Sequence, residues 1–585
     1  MENLIFLGAI AVILVIFTWT GIQEDKRVKK MIRNKLKEQY GKWSEKKYAD
    51  GRMTSICSAV NTDASEFVID DITWNDLDMD RLFQAMDFTR SAAGEEAVYR
   101  WLRIPVFQKE ILEKREKHIT FFAEHEKERL DYLMLMTEVG RTGKYSVYDY
   151  LGYLDAFPVK NCLITKLIDV VMLLSILLGF TVSGHFFWVF AALLGYHSFI
   201  YMKQKRKVEP YLTTFSYFIR ILECVDKLNK MSPAFHQEFA EEIAKLKEEK
   251  ARFASFRRFA FLALNSNDTT GGAELLQIFQ VYINMAFHLD LIKLYSMLAT
   301  VKEKKQDLIA ILQGMGEMEA CVSVAYTRAA LDGYCKPEFV SATGEKKGTL
   351  TAGAKKVSLL YEAMDLYHPL IENPVKNSVS QEKGMLLTGS NASGKSTFLK
   401  AVAINALLAQ TIHTVCASSY RANFFRIYSS MALRDSLQEG KSYFIVEIKS
   451  LKRIFDAARD DDNVMKIDAM KTDATKAPVL CTIDEVLRGT NTAERIAAST
   501  ELLKALSKKQ VLCFAATHDL ELTSLLREEY DNYHFKEMID GKEIVFPYEL
   551  TQGPAKGRNA IKLMGALGFD QEIVTKAETL AGGLL

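Results

Sequence analysis

The 585-residue sequence lacks most features that would place it at once in a specialised class of protein. The net charge is only +1, so no overall excess of positive charge points to nucleic acid, and any basic surface must be local. Its eight cysteines form no C-x-x-C pair and no metal-ligand spacing, which argues against a disulfide scaffold and favours a reducing, cytosolic compartment. There is no fixed-period repeat and no low-complexity tract. The length predicts about three or four folding units.

Two long apolar stretches stand out against this ordinary composition. The first, residues 4–22, carries no charge and is followed by a strongly basic run. A bilayer needs about 20 apolar residues, so residues 1–22 are predicted to be a transmembrane anchor. The rival interpretation is a cleaved signal peptide, which requires positive charge before the apolar run and a small-residue cleavage site after it. The opening residues "MEN" carry no positive charge, and no such site follows the run.

The second apolar stretch, residues 167–202, is broken in the middle by Ser183-Gly184-His185 and closed by "KQKRK". It predicts two short spans joined by a tight turn, a transmembrane hairpin over 166–203. The alternative is a buried helical hairpin, which Asp169 favours. The distribution of Lys and Arg then places residues 23–165, and everything after Lys203, in the cytoplasm. These segments predict a multi-pass protein of a bacterial-type inner membrane with three spans.

The soluble parts change character along the chain. Residues 23–165 are predicted to form a cytoplasmic linker and the start of a helical core, and residues 204–355 a helical core or lever region, because apolar residues recur there at helical spacing. From about residue 356, short β-like runs alternate with helical patterns, which predicts an α/β domain with a parallel sheet over 356–550. Residues 551–585 are predicted to be a final helical segment.

A phosphate-binding loop lies at the start of the α/β domain. Residues 389–396 satisfy the pattern G-x-x-x-x-G-K-[ST] between an apolar strand and a helix. Backbone amides of such a loop face phosphates, while Lys395 should reach the β- and γ-phosphates and Ser396 should ligate Mg²⁺. The predicted ATP-binding residues of this loop are Gly389, Ser390, Asn391, Ala392, Ser393, Gly394, Lys395, Ser396 and Thr397.

Two further strands supply side chains for catalysis. An apolar strand at 479–483 ends in Asp484-Glu485, so Asp484 is predicted to join the Mg²⁺ shell and Glu485 to activate the attacking water. Another strand, 511–516, precedes Thr517 and His518 at the edge where ligands bind open parallel sheets. We expect His518 to position the water or sense the γ-phosphate.

These motifs, in this order, resemble the ATPase domain of the MutS family, a group of ABC-type ATPases that includes DNA mismatch repair proteins. The resemblance covers "TGSNASGKSTFLKAVA", the S-x-F-x-x-E core at Ser442, Phe444 and Glu447, "IDEVLRGTNTAE" and "ATHDLELT". It extends to helices after residue 551 that resemble the family's dimerising segment. It is weaker over 71–105, which resembles the start of the family's helical core.

The resemblance implies a Mg²⁺-dependent ATPase that works as a homodimer with two composite sites. Ser442 of one subunit would then approach the γ-phosphate bound by the other. Val375 lies where mismatch-repair members carry an aromatic residue that stacks on adenine. Leu487 replaces a glycine of the family's DE-x-x-RGT segment. The short distance between the anchor and the core-like segment predicts that the mismatch-recognition domain is missing.

Two functions are consistent with this sequence. The first is a membrane-anchored, MutS-like dimeric ATPase whose helical clamp binds DNA, either mismatched or branched. The alternative is an ATP-driven clamp or assembly factor at the membrane that acts on a protein partner. A transporter ATPase subunit is disfavoured because no LSGGQ-like signature lies between Lys395 and Asp484.

Overall fold

The structure, a computed structural model, describes residues 2–58, 60, 66–160, 162–257, 274–340, 359–390, 393–431, 443–458, 477–487, 490–536, 538–540, 543–555, 561, 564–565 and 568–583. The chain divides into two compact units that are each discontinuous in sequence. Unit one comprises Met1–Asn61, Met86–Tyr99 and His118–Tyr326. Unit two comprises Thr62–Ala85, Arg100–Lys117 and Thr327–Leu585. The domain boundaries inferred from the sequence stay predictions.

Helices account for nearly all the regular structure up to residue 330. The α-helices are α1 (Glu2–Glu38), α2 (Arg52–Ser58), α3 (Asp71–Asp76), α4 (Met79–Met86), α5 (Ala92–Arg103), α6 (Lys109–Glu124), α7 (Glu126–Val139), α8 (Val147–Ala156), α9 (Leu163–Thr181), α10 (Phe186–Lys227), α11 (Pro233–Glu238), α12 (Ala240–Ala251), α13 (Ala254–Arg257), α14 (Glu274–Phe287), α15 (Leu289–Glu303), α16 (Lys305–Ala330), α17 (Lys395–Ile412), α18 (Tyr443–Ala457), α19 (Thr492–Ser507), α20 (Glu521–Leu525) and α21 (Gln571–Gly583). A 3₁₀ turn, Leu228–Lys230, follows α10.

Among the described residues, strands begin only after residue 337. They are β1 (Glu338–Phe339), β2 (Tyr361–Leu366), β3 (Asn377–Gln381), β4 (Gly384–Thr388), β5 (Ser419–Ala422), β6 (Arg426–Ser430), β7 (Val479–Asp484), β8 (Val511–Thr517), β9 (Tyr530–Phe535), β10 (Met538–Asp540), β11 (Glu543–Val545) and β12 (Leu550–Gln552). The predicted change from an all-helical region to an α/β region is therefore found in the structure.

Side-chain caps explain where several helices begin. Ser146 accepts the Asp149 N–H at the start of α8, and Asn491 accepts the Glu494 N–H at the start of α19. Each cap satisfies a backbone donor that the first turn of a helix leaves without a partner. These starts are therefore fixed by local sequence.

The core of unit one is aromatic, and charged pairs hold one helix to its surface. Phe122 is fully buried among the rings of Tyr132, Phe235 and Phe239. Helix α1 pairs with α7 in antiparallel order through three ion pairs, Lys29 with Glu138, Arg33 with Asp131 and Lys37 with Glu126. The basic run after the predicted anchor is thus partly engaged with α7.

Two described helices are long and apolar enough to cross a membrane, α9 and α16. Helix α16 is mostly buried, as a core helix would be, whereas α9 is only 11% buried and exposes Leu173, Leu177 and Phe180. Asp169, the charge that weakened the hairpin prediction, faces His197 of α10 at 3.4 Å. A paired carboxylate is the form in which an ionisable group is tolerated within an apolar segment.

The predicted arrangement of three spans is not supported. The side chains of residues 1–18 lie outside those described, and α10 is not among the two candidates. Glu138 pairs with both Lys29 and Lys227, so the start of the basic run lies beside the far end of α10. Met202 and Lys227 both lie on α10, about 37 Å apart along the helix axis at a rise of about 1.5 Å per residue. One flat bilayer would require Ile22 and Met202 to lie at the same membrane face, which this packing opposes.

A buried carboxyl group joins α16 to the start of α5 within unit one. Glu319 is fully buried and accepts hydrogen bonds from the backbone N–H groups of Arg90 and Ser91 and from the Ser91 hydroxyl. Burial raises the pKa of Glu319 from 4.5 to about 7, and the Ser91 and Arg90 hydrogen bonds offset only part of that rise. Desolvation therefore outweighs hydrogen bonding at this site.

This raised pKa predicts a pH dependence of stability. The folded chain keeps a proton on Glu319 that the unfolded chain loses near pH 4.5. The stability that Glu319 contributes is therefore fully present below pH 4.5 and is lost as the pH rises through about 7. Over that range, the free energy of unfolding of Glu319→Gln should fall less steeply with pH than that of the wild type. The difference in slope should correspond to about one proton. Denaturant unfolding at pH values from about 5 to about 8 measures both slopes. Equal slopes in the two proteins would contradict the prediction.

Unit two is built around a six-stranded sheet in the order β12-β9-β4-β8-β7-β6. The five strands from β9 to β6 are parallel, and β12 pairs antiparallel with β9. In register, Thr388 of β4 lies opposite Thr517 of β8, and Asp484 of β7 lies opposite Ala516 of β8. A second, mixed sheet has the order β1-β5-β2-β3. The C-terminal ends of β4, β7 and β8 therefore meet at one edge.

Candidate nucleotide-binding site

The loop after β4 takes a conformation that two glycines permit. Gly389 has φ of 140° and Gly394 has φ of 99°, and α17 begins at the next residue, Lys395. Side chains are strongly disfavoured at such angles, whereas glycine adopts them without steric cost. The spacing of the glycines in the motif thus matches the two points where the backbone turns.

Contacts inside the loop hold it in a compact curl. The Lys395 ammonium donates to the carbonyl oxygens of Gly389 and Ser390 at 2.6 and 2.7 Å, and its side chain is almost completely buried. The Ser393 hydroxyl donates to the Ser390 carbonyl at 2.7 Å. Asn391 and Ala392 lie outside the described residues. Thr397, also predicted to bind ATP, lies exposed in the first turn of α17.

The two predicted magnesium ligands contact each other directly. The Ser396 hydroxyl donates to Asp484 Oδ2 at 2.5 Å. Ser396 comes from the first turn of α17 and Asp484 from the end of β7. A hydroxyl and a carboxylate are hard oxygen donors that suit Mg²⁺, which takes few protein ligands and keeps the rest of its shell for phosphate and water. The donor set therefore fits the cation that the motif implies.

Glu485 and His518 form a second pair at the same edge. His518 Nε2 lies 2.7 Å from Glu485 Oε1. The Glu485 N–H donates to the Ala516 carbonyl of β8 at 3.0 Å, and this residue adopts a left-handed conformation with φ of 62°. Glu485 thus leaves the strand direction immediately after Asp484, so adjacent carboxylates can serve different roles.

Leu487 adopts a left-handed conformation that normally favours glycine. Its φ is 61°, yet the side chain is buried in the core below β7. The cost of this backbone conformation for a leucine is about 1–2 kcal/mol. Burial of the leucine side chain offsets it by about 1.5–3 kcal/mol. This balance explains how a leucine occupies the position where the resembling proteins have glycine.

Tyr548 is a site residue that sequence reasoning missed. Its ring lies against Gly394, where an added Cβ would come within 2.9 Å of Tyr548 Cδ1. The Asn377 side chain fixes the segment by donating to the Tyr548 carbonyl at 3.0 Å and accepting the Leu550 N–H at 2.7 Å. The Asn377 amide also reaches the Val375 carbonyl, at 3.5 Å. Tyr548 and Val375 are both partly exposed, so an aromatic ring borders the phosphate loop from a segment with no motif.

Other predicted residues are only partly described. Ser442 lies outside the described residues, and so does the side chain of Phe444. Glu447, the last residue of that motif, is buried on α18. Arg495 of α19 forms a two-pronged ion pair with Asp519, at 2.8 and 2.6 Å. That pair braces the segment immediately after His518.

Comparison with known proteins agrees with this geometry. Residues 385–584 match the family model described as MutS domain V. Over these residues the chain is similar to the MutS family. It is 26% identical over 307 residues to the DNA mismatch repair protein MutS of Thermus thermophilus, a match that covers 50% of this chain and 34% of that protein. It is 28% identical over 287 residues to the MutS protein of Thermotoga maritima, covering 47% and 32%.

The chain matches about a third of the length of those curated relatives. The matched domain V is a P-loop ATPase-type α/β domain, and it coincides with the parallel sheet and phosphate loop of unit two. The resemblance noted from sequence motifs is thereby confirmed over residues 385–584.

Proposed function

We propose that this chain binds and hydrolyses ATP with Mg²⁺ at the edge formed by β4, β7 and β8. The observation that carries the proposal is the meeting of two pairs at that edge, Ser396 with Asp484 at 2.5 Å and Glu485 with His518 at 2.7 Å. One pair offers hard oxygen ligands beside the phosphate loop. The other offers a carboxylate base with a histidine partner.

Each residue has a defined task in this reaction. Lys395 and the loop amides bind the phosphates, while Ser396 and Asp484 hold the cation, which supplies positive charge to the phosphate oxygens when bound. Glu485 accepts the proton of the attacking water. His518 holds the Glu485 carboxylate in place through their contact.

We further propose that Tyr548 stacks on the adenine, in the role for which sequence reasoning selected Val375. In the Glu485→Gln form, which should bind ATP without turning it over, Tyr548→Ala is expected to weaken ATP affinity about tenfold, because stacking of an aromatic side chain on a base is worth about 1–3 kcal/mol. Tyr548→Phe keeps the ring and should retain the affinity. Equilibrium titration with ATP measures both. Equal affinity of the Ala and Phe forms would exclude stacking.

The family supports a second level of the proposal, a homodimer whose ATP cycle controls a DNA clamp for mismatched or branched DNA. The relatives are named as DNA mismatch repair proteins. Dimerisation would bring Ser442 of one subunit to the γ-phosphate site of the other. The alternative, a clamp on a protein partner, is favoured by the overall charge balance of +1.

The test of this second level is ATP hydrolysis by the detergent-purified chain across a salt series, with homoduplex, mismatched or branched DNA, and with Glu485→Gln as the blank. Stimulation by DNA that fades as salt rises would support the DNA clamp, since phosphate contacts release counterions. ATP hydrolysis that none of the DNA substrates stimulates, but that Glu485→Gln abolishes, would favour a protein partner instead of DNA.

Membrane attachment is proposed through the hairpin of α9 and α10, with the ATPase part in the cytoplasm of a bacterial-type cell. Exposed apolar side chains support it, among them Phe180, Trp188 and Phe199, each more than 70% exposed. A soluble surface rarely carries so large an apolar patch. The full chain should stay with membranes after alkaline carbonate extraction, and release into the supernatant would contradict the proposal.

A further inference from the structure

The end of α17 farthest from the phosphate loop is held by arginines from distant parts of the sequence. Helix α17 has 18 residues, a length of about 27 Å at about 1.5 Å per residue. Its last four carbonyl groups have no partner within the helix. They are buried, so each must find a donor elsewhere.

Three of those donors come from the segments 100–117 and 327–330 of unit two. The Val106 N–H donates to the Gln410 carbonyl at 2.8 Å, and Arg115 donates to the Thr411 carbonyl at 2.6 Å. Arg328 donates to the carbonyls of Ile412 at 3.3 Å and His413 at 3.0 Å. Two cations therefore face the C-terminus of the phosphate-loop helix, the end whose partial negative charge attracts them.

Arg328 is held in this position by a carboxylate. Glu116 accepts from both terminal nitrogens of Arg328, at 3.1 and 2.5 Å, and contacts His413 Nδ1 at 3.2 Å. Thr414 accepts from Arg328 Nε at 2.9 Å. The Arg328 side chain is 3% exposed. Although burial opposes it, the hydrogen bonds from His413 and Arg328 and the Arg328 charge hold the pKa of Glu116 well below its usual range.

We propose that Arg328, oriented by Glu116, is a positioning residue for the nucleotide site and acts through α17. The proposal rests on ATP being the ligand of that site. Because α17 is a rigid rod, the position of its C-terminal end determines the direction in which its first turn presents Lys395 and Ser396. Displacements of about 1 Å at a reacting centre can cost about a hundredfold in rate. Arg328 contacts the end of α17 opposite the phosphate loop, so its effect is on geometry.

The test compares Arg328→Met, Arg328→Lys and Glu116→Gln with Arg421→Met in the full-length chain. Arg421 of β5 forms half-exposed ion pairs with Glu338 of β1 and Glu362 of β2, so it serves as a control for the loss of an arginine ion pair. For each variant, kcat and KM for ATP are measured at a fixed interval below its own thermal midpoint. ATP affinity is measured in the Glu485→Gln background.

Arg328→Met is expected to lower kcat by about tenfold and to weaken ATP affinity by about threefold to fivefold, because it removes one of the two cations that face the C-terminus of α17. Arg328→Lys and Glu116→Gln should each lower kcat by about threefold. The first keeps the positive charge, and the second keeps the guanidinium donors of Arg328. Arg421→Met should match the wild type. Should Arg328→Met fail to fold, the two milder variants carry the comparison.

A folded Arg328→Met, or folded milder variants, with wild-type kcat, KM and affinity would overturn the positioning role while leaving the ATPase intact. If the wild-type chain binds ATP without turnover, the hydrolysis proposal fails and the affinity comparison alone decides about Arg328. A wild-type chain that binds no ATP would overturn both.

Discussion

Glu485→Gln is expected to lower kcat for ATP hydrolysis by about a thousandfold while ATP binding persists, since a positioned general base contributes about 10²–10⁴ in rate. Gln has nearly the same shape, but it cannot accept the proton of the attacking water. The neighbouring pair of Ser396 and Asp484 is left intact. Single-turnover hydrolysis and equilibrium ATP binding, measured on the same preparation, separate the two effects.

The matched control is Glu501→Gln, which removes an exposed carboxylate from α19. It should leave both measurements unchanged. His518→Asn is expected to lower kcat by less than Glu485→Gln, about tenfold, because it removes only the partner that orients the carboxylate. Loss of ATP binding in Glu485→Gln would show that Glu485 holds the nucleotide, which would move the catalytic base elsewhere.

Short sequence motifs were enough to locate the candidate site, because its backbone conformation depends on residues that are close in sequence. Gly389 and Gly394 sit where the loop needs positive φ, and the apolar strand before Asp484 fixes which edge of the sheet that carboxylate reaches. The similarity to MutS followed from the same short segments and is confirmed over residues 385–584. The roles of the individual residues stay predictions.

What the sequence could not predict depends on tertiary contacts. Tyr548 belongs to no motif, and the hydrogen bonds that Asn377 makes with its segment come from a distant part of the sequence. Leu487 looked like a departure from a required glycine until its burial was visible. Ser442 stays a prediction because it lies outside the described residues.

Hydropathy has a related limit. Helices α9 and α16 are both apolar enough to cross a membrane, but one is 11% buried and the other 72%. Lipid and protein core select the same side chains, so composition alone does not separate a span from a core helix. The contact of Glu138 with both Lys29 and Lys227 connects residues that no local pattern relates.

The close packing of α16 against α5 predicts opposite effects for two glycines in one helix. A Cβ added at Gly316 would lie 2.4 Å from the Ala93 carbonyl oxygen, which is backbone and cannot move aside. At Gly314 the nearest atom would be Leu246 Cδ2 at 3.1 Å, at the end of a flexible side chain. Alanine in a helix interior gains about 1 kcal/mol over glycine, whereas forcing atoms into a packed core costs about 1–3 kcal/mol or more.

Gly316→Ala is therefore expected to lower the free energy of unfolding of unit one by about 2 kcal/mol, which for a unit of this size corresponds to about 4–8 °C in thermal midpoint. Gly314→Ala should leave the midpoint unchanged or raise it slightly, because Leu246 can rotate away. Thermal unfolding of the two full-length variants under identical detergent conditions makes the comparison. Since both substitutions add the same methyl group to the same helix, a difference between them reports the different surroundings of the two glycines, α5 for Gly316 and Leu246 for Gly314. Equal midpoints would mean that α5 can move away from α16, and the helices would then not be in rigid contact at Gly316.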